Sequence, residues 1–166
     1  MVTEELARRF GVRFKRHRSH ARVCEVSRPL PGVDRIVLAE PGSFMNASGG
    51  PVSALRAFYK TSVDRIVVVH DDLDLPFGTL RIKSGGGSGG HNGLKSLSAS
   101  LGDPGYIRVR FGIGRPLGRM DPADYVLRPF GSAERTALDP LVNRAADAVE
   151  DVLAHGLEAA QNAFNS

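Results

Sequence analysis

The sequence is poor in cysteine and tryptophan, and it contains no long apolar run. Its 166 residues include one cysteine, Cys24, which excludes an internal disulfide and favours a reducing compartment. No apolar run approaches the roughly 18 residues of a membrane span. The start, residues 1–5, lacks the basic and apolar regions of a signal peptide. We therefore expect a cytoplasmic protein, and the length favours a single domain over residues 1–166.

Charge is distributed unevenly along the chain. The first 60 residues carry eleven Lys or Arg against five Asp or Glu, although the formal net charge of the whole chain is only +4. The excess is concentrated in residues 13–22, which read RFKRHRSHAR. Such a run is compatible with a solvated face or with the electrostatic footprint of a polyanion-binding surface.

Apolar spacing predicts helices and strands in alternation. Leu6 and Phe10 lie four residues apart, which predicts a helix over residues 3–10 that ends at Gly11. The β-branched run in residues 65–70 predicts a strand buried on both faces. Further strands are predicted at 35–40, 79–83 and 107–113, an extended stretch at 14–27, and helices at about 48–60, 91–101, 124–127, 132–155 and 157–164. This order predicts a three-layer α/β/α fold with a mixed, mostly parallel twisted sheet.

A glycine-rich stretch, residues 84–93, lies between a predicted strand and a predicted helix. It holds six of the 19 glycines. Glycines allow close backbone approach and helix N-termini favour anions, so a phosphate- or ester-handling site is one interpretation. A flexible surface loop is the other. The stretch matches the dinucleotide pattern only through its glycine density, and Arg108–Arg110 stand where that pattern needs an acidic residue. The Walker pattern fails because Lys95 follows Gly93 by two positions.

Polar side chains also follow the predicted strands. Asp71 follows the predicted strand at 65–70, and Asn46 follows the one at 35–40. His91 and Asn92 begin the predicted helix after the glycines. The carboxyl ends of strands are where open α/β sheets bind ligands. Each residue has a structural alternative, since Asp71 can stabilise a turn and His91 or Asn92 can cap a helix. His70 points away from Asp71 in a strand, which favours a structural role.

Four motifs together resemble the bacterial peptidyl-tRNA hydrolase family. They are FMNASG at residues 44–49, HDDLDLPFG at 70–78, GGGSGGHNG at 85–93 and RFGIG at 110–114. Their order and spacing match over essentially the whole chain. The resemblance implies hydrolysis of the ester between a peptide and the 3′ ribose of tRNA, without a metal or cofactor. It implies peptidyl-tRNA as the partner, and we expect a monomer with no membrane contact.

The resemblance also assigns roles to individual residues. Phe44 and Asn46 would contact the tRNA 3′ end or the peptide, and Asn92 would hold substrate or the attacking water. Asp71 would hydrogen-bond the catalytic histidine, and His91 would line the crevice. The loop at residues 85–90 would be a mobile rim. The candidates for tRNA phosphate contacts are Lys83, Lys95 and Arg110.

The chain departs from the family pattern at its start. The family begins with a strand, a Gly-Asn-Pro-Gly turn and a Thr-Arg-His-Asn motif, which carry the general-base histidine. By this comparison those elements precede the helix that starts here at Thr3. His17 and His20 do not replace them, because both follow that helix. A smaller departure is Asp72, where the family usually has glutamate.

The departure leads to two expectations. Losing a general base typically costs about 10²–10⁴-fold in rate, so we expect the chain as given to have low activity. A missing strand would leave an exposed sheet edge and lower stability. A truncated start is the explanation we favour. The alternative function is a non-catalytic RNA-binding protein of the same fold, like the plant organellar splicing factors that resemble this family. Retention of Asp71, Asn46, His91 and Asn92 argues against that alternative.

Overall fold

The computed structural model describes residues 1–42, 47–114 and 132–165. In chain order the helices are α1 (Val2–Phe10), α2 (Gly49–Tyr59), α3 (Asn92–Leu101), α4 (Ser132–His155) and α5 (Leu157–Phe164). The strands are β1 (Lys15–His17), β2 (Ala21–Leu30), β3 (Val33–Pro41), β4 (Val67–Asp72), β5 (Leu80–Ser84) and β6 (Ile107–Gly112). The short helix predicted at residues 124–127 lies outside the described residues.

The described strands form two groups of three. One group has the order β1-β2-β3 and is antiparallel throughout. The other has the order β4-β6-β5, in which β4 pairs with β6 in parallel and β5 pairs with β6 antiparallel. The α/β class and the mixed pairing are confirmed. The expectation of mostly parallel strands is wrong for these pairs, because hairpin connections such as residues 31–32 return the chain antiparallel.

Helices cover both faces of the strands, as a three-layer fold requires. On one face α1, α4 and α5 share the largest apolar cluster with residues such as Leu6, Ile82 and Val109. On the other face α3 packs with Val68, while α2 packs its Leu55 on β2 and β3. Val67 and Val69 pack on the first face and Val68 on the second, as the β-branched run predicts. Among the described helices, none combines the length and apolarity needed to cross a membrane.

The stretch predicted as extended over residues 14–27 is instead a hairpin. The chain reverses between β1 and β2, so that His17 pairs with Ala21. The Nδ1 atom of His17 lies 2.8 Å from Oγ of Ser19 and accepts the Ser19 N–H at 3.1 Å. His20 has a positive φ of 64°. The sequence pattern missed the turn because it contains neither glycine nor proline, the residues that usually mark a reversal.

Candidate functional site

Three of the polar residues that follow the strands, Asp71, His91 and Asn92, meet at the carboxyl end of β4 and the start of α3. The Nε2 atom of His91 lies 3.0 Å from Oδ1 of Asp71. His91 is the N-cap residue of α3, and its Nδ1 accepts the backbone N–H of Leu94 at 3.2 Å. Both ring nitrogens are therefore engaged, with the proton on Nε2 directed to the carboxylate. The sequence had allowed either His91 or Asn92 to cap this helix, and the structure shows that His91 does.

Asp71 is held as a carboxylate at neutral pH. Burial raises its pKa, but the hydrogen bond from His91, the charges of His91 and His70 and a backbone hydrogen bond together outweigh burial and leave the pKa of Asp71 below its usual value. Its side chain keeps about a quarter of its surface exposed, at 28%. A partly exposed, ionised carboxylate at a strand end can orient an imidazole and stabilise its protonated form.

His70 is buried, and one of its two ring nitrogens has a hydrogen-bond partner. Its Nδ1 lies 2.8 Å from the Asp71 carbonyl oxygen, which requires the proton on Nδ1. Its Nε2 has no hydrogen-bond partner among the described residues. Burial lowers the pKa of His70, so the ring is neutral over a wider pH range than an exposed histidine. Its ring meets that of His91 edge to face, with centroids 5.1 Å apart.

Asn92, the first residue of α3, is exposed beside this pair. Phe44 and Asn46 lie outside the described residues. The helix that follows them, α2, is fixed closely to α3. The backbone N–H of Gly49 donates to Oγ of Ser96 at 2.9 Å. The start of α2 and the start of α3 thus belong to one packed unit.

The three predicted phosphate contacts differ in their surroundings. Arg110 donates from Nε to Oδ2 of Asp72 at 2.8 Å and is 24% exposed, so much of its charge is already neutralised. That bond also holds the pKa of Asp72 below its usual value despite burial. Lys83 is half-buried beside Gly86, whereas Lys95 is exposed on α3.

Sequence reasoning missed the residue that anchors the glycine loop. The alternation of residues 107–113 puts Arg108 and Arg110 on one charged face of the predicted strand, but Arg108 is 1% exposed in the structure. Its guanidinium donates to the carbonyl oxygens of Gly87 (2.6 Å), Gly86 (2.7 Å) and Pro104 (3.2 Å), and it stacks over the ring of Tyr106. The available signal was an arginine between the apolar residues Ile107 and Val109 of the predicted strand.

A slot separates the two groups of strands. Among the described strands, β3 pairs only with β2 and β4 pairs only with β6, so one edge of each faces the other without a partner. A cavity of about 1180 Å³ lies there, lined mostly by apolar side chains from both strands and from the helices above and below. His70, Asp71 and His91 line one end of this slot. Within the described ranges, no cluster of three or more side chains could hold a metal ion.

Comparison with known proteins gives concordant matches. The family model for peptidyl-tRNA hydrolase matches residues 1–166. A peptidyl-tRNA hydrolase of Frankia casuarinae is 58% identical over all of this chain and 83% of its own length, and one of Streptomyces coelicolor is 59% identical over 84% of its own length. The crystal structure of peptidyl-tRNA hydrolase from Acinetobacter baumannii superposes with a TM-score of 0.90 at 30% identity, covering 99% of this chain and 83% of that chain.

Proposed function

The chain belongs to the peptidyl-tRNA hydrolase family and is a hydrolase that acts on peptidyl-tRNA; from this premise we propose that it cleaves the ester between a peptide and the 3′ ribose of tRNA. The observation that carries the proposal is the meeting of Asp71, His91 and Asn92 at the carboxyl end of β4 and the N-terminus of α3. We further propose that residues 1–166 act as one domain and as a monomer, in the cytoplasm and without a cofactor.

Asn92 binds the reacting group in this scheme. Its amide is exposed and can both donate and accept, so it can hold the ester carbonyl or the attacking water. The N-terminal end of α3 adds a partial positive charge where the tetrahedral intermediate develops its oxyanion. Phe44 and Asn46, from the segment that precedes α2, contact the tRNA 3′ end or the peptide. His91 lines the crevice and keeps Asp71 in place.

The general base is the histidine that Asp71 orients, and we propose that it lies outside this chain. The sequence has five histidines. His91 has both nitrogens engaged, and His70 is buried with a lowered pKa. His17 belongs to β1, His20 lies in the turn between β1 and β2, and His155 ends α4 in a hydrogen bond to Asp151. Asp71 can accept from a further imidazole, which supports the role that the family resemblance gives it.

The slot between β3 and β4 supports the same proposal. Two facing strand edges leave backbone N–H and C=O groups without strand partners, and an apolar cavity lies between them. An added strand would pair with both edges and place its carboxyl end near Asp71. We propose that a strand carried with the base histidine fills this slot and joins the two groups into one sheet. The matched relatives extend beyond the aligned part by about one sixth of their length, which would accommodate such a segment.

The test compares the chain as given with a chain extended by the codons upstream of Met1. We expect the extension to raise kcat/KM for peptide release from peptidyl-tRNA by about 10²–10⁴-fold and to raise the Tm. In the extended chain, replacing the added histidine by alanine should remove the gain in rate and keep the gain in Tm. Equal activity of the two chains would contradict the proposal, and His70 and His91 would then be tested as the base.

A non-catalytic RNA-binding role is the second candidate, favoured by the exposed cations of residues 13–18. The two functions differ at Asn92. For an esterase, Asn92→Ala in the extended chain should lower kcat by about 10²-fold with little change in affinity for deacylated tRNA. For a binder of the RNA backbone, Lys95→Ala should weaken binding, and no variant should release peptide faster than the uncatalysed reaction.

A further inference from the structure

A basic surface lies at the tip of the β1–β2 hairpin. We call residues 13–22 the basic hairpin. Four of its cations are exposed and have no ion-pair partner among the described residues: Arg13, Lys15, Arg16 and Arg18. Only Arg22 has one, because it forms an ion pair with Glu40. These four cations therefore carry positive charge that no carboxylate of residues 1–42, 47–114 or 138–165 neutralises.

The arrangement of this charge is unfavourable for the fold itself. Arg16 lies directly opposite Arg22 in the antiparallel register of β1 and β2. Like charges at directly opposed positions destabilise a strand pair. The ion pair with Glu40 explains an arginine at position 22 but not one at position 16, whereas attraction of a polyanion accounts for Arg16.

Arg18 is held in a geometry suited to phosphate. Its guanidinium lies over the ring of Phe58, with Cζ 5.0 Å from the centroid. The ring of His17 meets Phe58 edge to face at 4.8 Å. Phe58, at the end of α2, is 47% exposed. Stacking fixes the plane of a guanidinium and leaves its N–H groups directed outward, where they can bind phosphate oxygens.

The hairpin also lies next to the segment that leads into the substrate region. Its turn contacts residues 41–42: the N–H of Gly42 donates to the His20 carbonyl oxygen at 2.8 Å, and Ala21 pairs with Pro41. In the sequence, Phe44 and Asn46 follow at once. A polyanion bound at the hairpin would therefore lie beside residues 41–42, two residues before Phe44 in the sequence.

We propose that Arg16 and Arg18, with Phe58 as the support of Arg18, form a second binding surface for the RNA part of the substrate. The surface binds the phosphodiester backbone outside the ester-hydrolysis crevice. This inference rests on the proposed function for the identity of the RNA. The competing explanation is that cations on β1, an edge strand in the described sheet, prevent edge-to-edge association.

The closing experiment measures binding of deacylated tRNA as a function of salt concentration. Arg16→Glu/Arg18→Glu should weaken binding by roughly tenfold for each arginine–phosphate pair removed and reduce the log–log salt slope by about one for each such pair. Arg144→Glu is the matched control, because Arg144 is an exposed arginine that stacks over Phe164 with Cζ 5.3 Å from the ring. Arg16→Gln/Arg18→Gln provides a milder double variant if the glutamates disturb the hairpin.

A slope and an affinity equal to those of the parent chain would overturn the inference, as would an equally weakened affinity in Arg144→Glu. Glutamate protects an edge strand as well as arginine does, so the edge explanation predicts unchanged binding in the double variant.

Turnover of peptidyl-tRNA and of a peptidyl ester of adenosine is measured in parallel, in the upstream-extended chain. We expect KM to rise only for the full substrate. If the upstream-extended chain without substitutions hydrolysed neither ester, the proposed function would be overturned. The binding series tests the surface alone.

Discussion

The Nε2 atom of His91 lies 3.0 Å from Oδ1 of Asp71, while the opposite nitrogen of the same ring caps helix α3. One side chain therefore ties the carboxyl end of β4 to the N-terminus of α3. Because both nitrogens are engaged, the ring has no lone pair free to accept a proton from water. This geometry makes His91 a positioning residue for Asp71 and Asn92.

Replacing His91 separates its two roles. His91→Ala removes the cap of α3 and should lower the free energy of unfolding by about 1–2 kcal/mol. His91→Asn retains a side chain that caps well and should recover most of that stability. In both variants Asp71 no longer has its imidazole partner, so its pKa should rise. Urea unfolding and an NMR titration of the Asp71 carboxyl measure the two effects. Equal stability of the alanine and asparagine variants would show that the cap contributes little.

The buried guanidinium of Arg108 should be essential for the glycine loop. Arg108→Met leaves the carbonyl oxygens of Gly86 and Gly87 without their donor, and we expect the free energy of unfolding to fall by about 2–3 kcal/mol. Amide hydrogen exchange in residues 85–90 should accelerate. Arg110→Met is the control, because Arg110 forms one ion pair, with Asp72, and keeps 24% of its side chain exposed, so we expect a smaller loss of stability than at Arg108. If the two variants were equally stable, the anchoring role of Arg108 would be wrong.

Two adjacent glycines in α2 should respond oppositely to alanine. A Cβ on Gly49 would lie 2.1 Å from the Ser96 carbonyl oxygen and 2.5 Å from Oγ of Ser100, so α2 and α3 would have to separate. A Cβ on Gly50 meets nothing within 4 Å. We expect Gly49→Ala to cost about 1–3 kcal/mol and Gly50→Ala to stabilise by up to about 1 kcal/mol. Thermal unfolding of the two variants tests the helix packing, and a stable Gly49→Ala would refute it.

His70 should make stability depend on pH near neutrality. Burial lowers its pKa in the folded protein, whereas the unfolded chain titrates near about 6.5. As the pH falls below that value, the unfolded state binds the proton first, and the free energy of unfolding decreases until the folded pKa is passed. His70→Gln should flatten this decrease between about pH 7 and pH 5. His155→Gln, at an exposed site, serves as the control in urea unfolding at each pH. A slope unchanged by His70→Gln would exclude the effect.

Local patterns in the sequence were sufficient to predict most helices and strands and to predict that Asp71 and His91 lie close together. The spacing of Leu6 and Phe10, with Gly11 at φ 67°, defines α1, and the β-branched run before His70 defines β4. The convergence of Asp71, His91 and Asn92 followed from the rule that strand ends share one edge of a sheet. These inferences depend on periodicity and on residue order, which are properties of the chain itself.

Other features arose only from packing. The β1–β2 reversal lacks a glycine or proline signal, and its turn is held by His17 and Ser19 in three dimensions. The burial of Arg108 could not be read from strand alternation, because its charge is satisfied by carbonyls of a loop more than 20 residues away in sequence. The direction of strand pairing was also mispredicted, since periodicity does not distinguish parallel from antiparallel neighbours.

The sequence by itself determined the family and the α/β class, because motif order and apolar spacing are encoded locally, and it pointed to Asp71 and His91, which the structure brings together. Only the tertiary structure decided which ring nitrogens of His70 and His91 already have a hydrogen-bond partner. It also decided that the edges of β3 and β4 face each other across an apolar slot. Both depend on interactions between residues distant in the chain, whose directions and distances are set by packing and hydrogen bonding rather than by sequence separation.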